Sequence, residues 1–150
     1  MSVSGGSRQI LLHGLMLVLV GLVWGLFVPA TPFPRLALGA HVQFVTNGML
    51  FIVLAALLLA LPHSVGGVSI TVMLLSAWLT WAMALSEVAN AWWGTRQTLP
   101  IMAGQAGASG GAPWQELIVT ATHMVAGLGL IVAWALLVVG FAKQSSSAHA

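Results

Sequence analysis

The sequence predicts an all-α fold, an integral membrane four-helix transmembrane bundle forming one domain. Three observations carry that prediction. Of 150 residues, 59% are hydrophobic and 4% charged, whereas a soluble domain uses roughly 25% charged residues to solvate its surface. Mean hydropathy is +1.03. Four apolar segments reach the roughly 20 helical residues needed to cross a hydrocarbon core about 30 Å thick. The lipid bilayer is therefore an expected partner. A net charge of +2 from four basic and two acidic residues offers no basic patch for nucleic acid, which binds largely by counterion release. With no cysteine, disulfides, thiolate metal sites and cysteine nucleophiles are excluded.

The first span runs from about Gln9 to Val28 and stops at "PATPFPR", where prolines cannot continue a helix. It is too long for a signal-peptide core and lacks a small-residue cleavage site. Its glycines Gly14, Gly21 and Gly25 make a stripe that lets another helix approach closely. His13 in this span reads more readily as a packing residue than as a ligand.

The second span covers about 38–61 and ends before Pro62. It opens with His41, followed by Gln43, Asn47 and Gly48. Gly48, seven residues from His41, shares its face and leaves a gap in which a flat group can lie. Asn47 is about 120° away around the axis, so it lines a cavity with His41 rather than ligating beside it. From the residues alone, His41 remains open between a satisfied core histidine and a metal or haem ligand.

The third span covers about 68–93. Ser76, Thr80, Glu87, Asn90 and Gly94 lie along one face of an otherwise apolar helix. Ser76 and Thr80 read as interhelical hydrogen-bond glue. Glu87 does not, because an ionisable group inside a span is expensive and marks a pairing or functional position. Trp92 and Trp93 suit either an interfacial belt or the wall of an aromatic-substrate pocket.

The fourth span covers about 114–141, and the polar tail "KQSSSAHA" is expected to fray. Glu116, Thr120 and His123 share a face. Glu116 in the first turn caps the positive helix end or serves function. Trp114 suits the belt, and neither His63 in a turn nor His149 in the tail is given a role. The turn "PHSVGG" is tight, whereas "GTRQTLPIMAGQAGASGGAP" is long and glycine-rich, either a functional lid or disorder. Arg8 and Lys143 flank one side and Arg35 and Arg96 the other. The positive-inside rule therefore has little to act on, leaving a weak preference for cytoplasmic termini.

The segments "LLHGLMLVLVGLVWGLFVP", "PRLALGAHVQFVTNGM" and "LPIMAGQAGASGGAPWQELIV" together resemble the bacterial hydroxylaminobenzene mutase family across nearly the whole chain. A more distant resemblance is to styrene oxide isomerases, through the His-Gly pair of the first span and the histidine with Asn-Gly six residues on. That second resemblance implies a multi-pass protein of the bacterial inner (cytoplasmic) membrane, a homotrimer, and ferric haem b. It makes His41 the axial ligand and Asn47 a pocket residue, and the gap at Gly48 is then the expected place of the cofactor's flat face. Asn90 resembles the asparagine of that family's third-span Trp-Ala-Asn motif, here Val-Ala-Asn. The chain contains no tyrosine, so the tyrosine of the isomerase pocket has no counterpart. The mutase reading is therefore preferred to epoxide chemistry.

The expected reaction converts an N-arylhydroxylamine, a small aromatic substrate, to an ortho-aminophenol without net redox change. The expected site combines catalytic Glu87, Asn90 and Asn47 with haem on His41 and with Trp92 and Trp93 near the cationic ring. Two rival classes share some of these features. A proton-coupled small multidrug exporter has its glutamate in the first span, which here has none. A bis-histidine cytochrome needs paired histidines at similar depth, for which His41 and His123 are the candidates.

Overall fold

A computed structural model describes residues 2–147 of the chain, with side-chain burial assigned through residue 144. His149 lies outside the described residues. Helix α1 spans Val3–Phe27, α2 Pro34–Ala60, α3 Gly67–Trp93, α4 Pro100–Gln105 and α5 Pro113–Ser147. A 3-10 turn, Val28–Ala30, extends α1. Among the described residues, four helices (α1 with its turn, α2, α3 and α5) are long and apolar enough to cross a membrane.

Local chemistry sets the ends. Ser2 Oγ accepts the Gly5 N–H and caps α1, while Pro34, Pro100 and Pro113 each open a helix where a missing N–H costs nothing. Gly94 closes α3 in the left-handed conformation, φ 62°. A Cβ there would lie 2.7 Å from the Phe33 ring, so only glycine fits. Two expectations change. α5 runs beyond Phe141 to Ser147, because "KQSSS" holds no helix breaker. The long third connection contains α4, whose Ala103 packs with Leu36 and Ala108 in a small core of its own.

α1 packs chiefly on α2 and α5 chiefly on α3, while α3 also touches α1 and α2. The α1–α2 crossing is close because of the glycine stripe. A Cβ on Gly48 would meet Gly14 O at 2.7 Å, and one on Gly21 would meet Phe44 Cβ at 2.7 Å. The main core joins Ile10, Leu17, Phe44, Phe51, Ile70, Met73 and Leu137. Leucine and valine cover much of the outer surface, including Leu26, Leu117, Leu128 and Val138. That distribution suits lipid or protein contact and not water. His63 closes the α2–α3 turn: its ring contacts Leu58 O at 3.0 Å and accepts the Val65 N–H at 3.1 Å.

Candidate functional site

The polar residues separate onto two sides of α2. His41 and Gln43 are two positions apart, about 200° around a helix. His41 turns to α1, its Nδ1 2.8 Å from Gly21 O, and rests on Gly25, where a Cβ would come within 2.9 Å of Nδ1. That contact requires Nδ1 to carry the proton. The lone pair is then on Nε2, which makes no hydrogen bond among the described residues. A ring N–H held by a backbone carbonyl with the other nitrogen free is the usual orientation of a metal-bound imidazole. His41 therefore fits the role of the residue that would hold a metal or haem iron. Among the described residues no three of His, Cys, Asp and Glu come together. A metal at His41 would thus have to bring most of its own ligands, as an iron porphyrin does.

Trp24 stands one turn along on the same side. Its Nε1–H donates to Ala37 O at 2.9 Å, and its ring lies 5.8 Å from that of Trp92. The neighbouring Trp93 faces elsewhere and meets Trp114 edge-on at 5.1 Å. The two tryptophans expected to act together thus belong to different faces. Gly48 also departs from its expected place: α1 fills the space beside it, at the Gly14 crossing.

The other side of α2 holds a buried polar cluster contributed by three helices. Glu87 of α3 is fully buried. Its Oε1 lies 3.2 Å from His123 Nε2 of α5, off the line needed for a hydrogen bond, so Oε1 is otherwise unpartnered. His123 Nδ1 sits 2.8 Å from Val119 O, and Nε2 also meets the Gln43 side-chain amide at 2.8 Å. Gln43 Oε1 is buried without a partner. Sequence reasoning found Glu87, considered His123 only as a partner of His41 in the rival cytochrome, and gave Gln43 no part. The available signal was that both lie inside spans, where polar groups need a reason.

Asn90, also fully buried, is committed locally. Its Oδ1 accepts the Thr95 N–H at 2.8 Å and the Thr95 O–H at 2.7 Å, and its Nδ2 donates a long bond to Glu87 Oε2 at 3.4 Å. Asn90 therefore anchors the start of the α3–α5 connection and steadies Glu87. Asn47 is buried and its side chain forms no hydrogen bond among the described residues. Glu116 clasps the same connection: its carboxylate accepts backbone N–H groups of Arg96, Gln97 and Gly111 at 3.0–3.2 Å. Held this way, α4 covers a cavity of about 320 Å³ lined by Arg35, Leu38, Gly39, Val42, Gln43, Leu99 and Met102. That volume is at the small end of ligand pockets. Gly39 is the thin point of its wall, since a Cβ there would stand 3.0 Å from Met102 Cε and 3.8 Å from Glu87 Oε2.

His13 is satisfied within the bundle. Trp81 Nε1–H donates to its Nδ1 at 3.1 Å, and Trp78 meets it edge-on at 4.7 Å.

The chain matches the styrene oxide isomerase family profile over residues 6–142. It is similar to hydroxylaminobenzene mutase HabA of Ectopseudomonas oleovorans, with 32% identity over 109 residues, covering 71% of this chain and 77% of the relative. No solved structure matches it. Four membrane-length helices, the buried polar groups between them and these similarities give one conclusion: the chain is a multi-pass membrane protein and belongs to the styrene oxide isomerase family of isomerases and mutases.

Proposed function

We propose that this protein is a mutase of the bacterial cytoplasmic membrane that converts N-arylhydroxylamines to ortho-aminophenols. The similarity to a hydroxylaminobenzene mutase over most of both chains supports that reaction. So does the absence of tyrosine, which removes the isomerase-like pocket residue. The observation that carries the reading is His41, an imidazole oriented by Gly21 O with Nε2 making no hydrogen bond among the described residues. His41 is the residue that would hold haem b. Ferric haem there would supply a Lewis acid for the oxygen that leaves nitrogen.

The chain's own residues supply the remaining requirements. N–O cleavage spreads positive charge over nitrogen and ring, and a tryptophan π face stabilises such a cation by about 1–2 kcal/mol when desolvated. Trp92 is half exposed on the His41 side and serves that role, whereas Trp93 is held against Trp114. Asn47, whose side chain makes no hydrogen bond among the described residues, orients the polar end of the substrate. The apolar surroundings keep bulk water from the cation. Exposed leucine and valine on every long helix support assembly as a homo-oligomer, a trimer on the family resemblance.

The second reading is epoxide-to-aldehyde isomerisation, favoured by the family profile. Purified protein given N-phenylhydroxylamine and, separately, styrene oxide decides between them. Formation of ortho-aminophenol supports the mutase. Conversion of styrene oxide alone replaces it with the epoxide reading.

A further inference from the structure

We propose that Arg35 and the cavity beneath α4 form a binding site for one acidic phospholipid of the surrounding bilayer. The site is independent of which reaction the protein catalyses. Its first support is depth. α2 has 27 residues and at 1.5 Å per residue is about 40 Å long. A hydrocarbon core is about 30 Å thick, so the ends of this helix reach the headgroup region. Arg35 lies in its first turn, at the level of the lipid phosphates.

The second support is charge. The chain has two acidic residues, and both are committed elsewhere. Glu87 faces His123 inside the bundle, and Glu116 accepts backbone N–H groups of the α3–α5 connection. Among the described residues no carboxylate lies within ion-pair distance of Arg35. Its Nε–H donates to Gln105 Oε1 at 2.8 Å, which holds the guanidinium against the end of α4. The two Nη groups make no hydrogen bond among the described residues, so four N–H bonds remain to offer. A planar fork held in this way matches two oxygens of a phosphate.

The third support is shape. Leu38, Gly39 and Val42 follow Arg35 at helical spacing along one face of α2. With Leu99 and Met102 from the α4 segment they line most of the cavity of about 320 Å³. Leu38 and Val42 are exposed, so the cavity opens at the outer surface of the bundle. Val42 is seven residues beyond Arg35, about 10 Å deeper in the membrane. The cavity thus has a cation at its headgroup end and an apolar wall running inward, parallel to the acyl chains. A soluble anion would use the arginine and leave the wall bare. A phospholipid uses both, with its phosphate on Arg35 and one chain along Leu38 and Val42. The uncompensated positive charge selects a headgroup with net negative charge over a zwitterionic one.

The test uses full-length protein in nonionic detergent, with bound lipid counted by native mass spectrometry. The probes are phosphatidylglycerol, phosphatidylcholine with the same chains, and glycerol 3-phosphate, which has the phosphate and no chains. Wild type should hold one phosphatidylglycerol per chain more tightly than either of the other two. Arg35→Gln should weaken that binding by about 10-fold or more, whereas Arg8→Gln and Arg96→Gln should not. A measurement that needs no variant is salt: raising ammonium acetate should shrink the wild-type preference, because an exposed charge is screened. Equal binding of the two lipids, a preference insensitive to salt, or an Arg35→Gln variant that keeps its phosphatidylglycerol overturns the proposal. Glycerol 3-phosphate bound as tightly as the lipid overturns it in favour of a soluble anion. A loss in Arg8→Gln equal to that in Arg35→Gln overturns it in favour of attraction by net charge alone.

Discussion

His41 and Gln43, two residues apart on α2, engage different helices: one reaches Gly21 O of α1 and the other His123 of α5, each at 2.8 Å. A helix turns about 100° per residue, so neighbours in sequence serve separate sites. Within one chain His41 and His123 do not face a common cofactor, which removes the bis-histidine arrangement.

The free Nε2 of His41 predicts a haem spectrum. Protein purified in detergent should show a Soret band, and His41→Ala should lose it. His13→Ala removes the Trp81 hydrogen bond instead and should cost about 1 kcal/mol of stability with the band retained. Full haem content in His41→Ala would refute the ligand assignment.

Glu87 and Glu116 should fail differently. Glu87→Gln should lower turnover with the α4 connection intact. Glu116→Gln loses charge-assisted bonds to backbone N–H groups and should destabilise the connection by about 1.5–3 kcal/mol. Faster amide exchange over residues 95–111, with turnover reduced less than in Glu87→Gln, is the expected pattern. A dead Glu116→Gln beside a wild-type Glu87→Gln would reverse the ranking.

The Gly14–Gly48 crossing leaves no room for a methyl group, since a Cβ on Gly48 would lie 2.7 Å from Gly14 O. Gly48→Ala should push α1 from α2 and cost about 1–3 kcal/mol, read as a lower thermal midpoint. An unchanged midpoint would show that the helices separate freely.

If the cation is shielded from bulk water, the oxygen of the product should be the oxygen of the substrate. Turnover in water enriched in heavy oxygen should give ortho-aminophenol with little label and little para isomer. Mostly labelled product would mean that the cation escapes to solvent.

The sequence by itself determined the fold class and the helices, because apolar length, proline breaks and a near absence of charge act locally and leave one structure compatible with a bilayer. It also marked Glu87 and His41, since a titratable group in an apolar run stands out without any knowledge of its neighbours. It did not determine partners. That Glu87 meets His123, that Gln43 joins them, that Trp92 and Trp93 part company, and that α1 occupies the space beside Gly48 all follow from how the helices are rotated and which pairs touch. Glu116 shows the same division: helix-end chemistry explained a carboxylate at that position, but its bonds go to a connection about 20 residues earlier in the chain and to Gly111. Such contacts depend on packing summed over whole helix faces, and tertiary structure alone decides them.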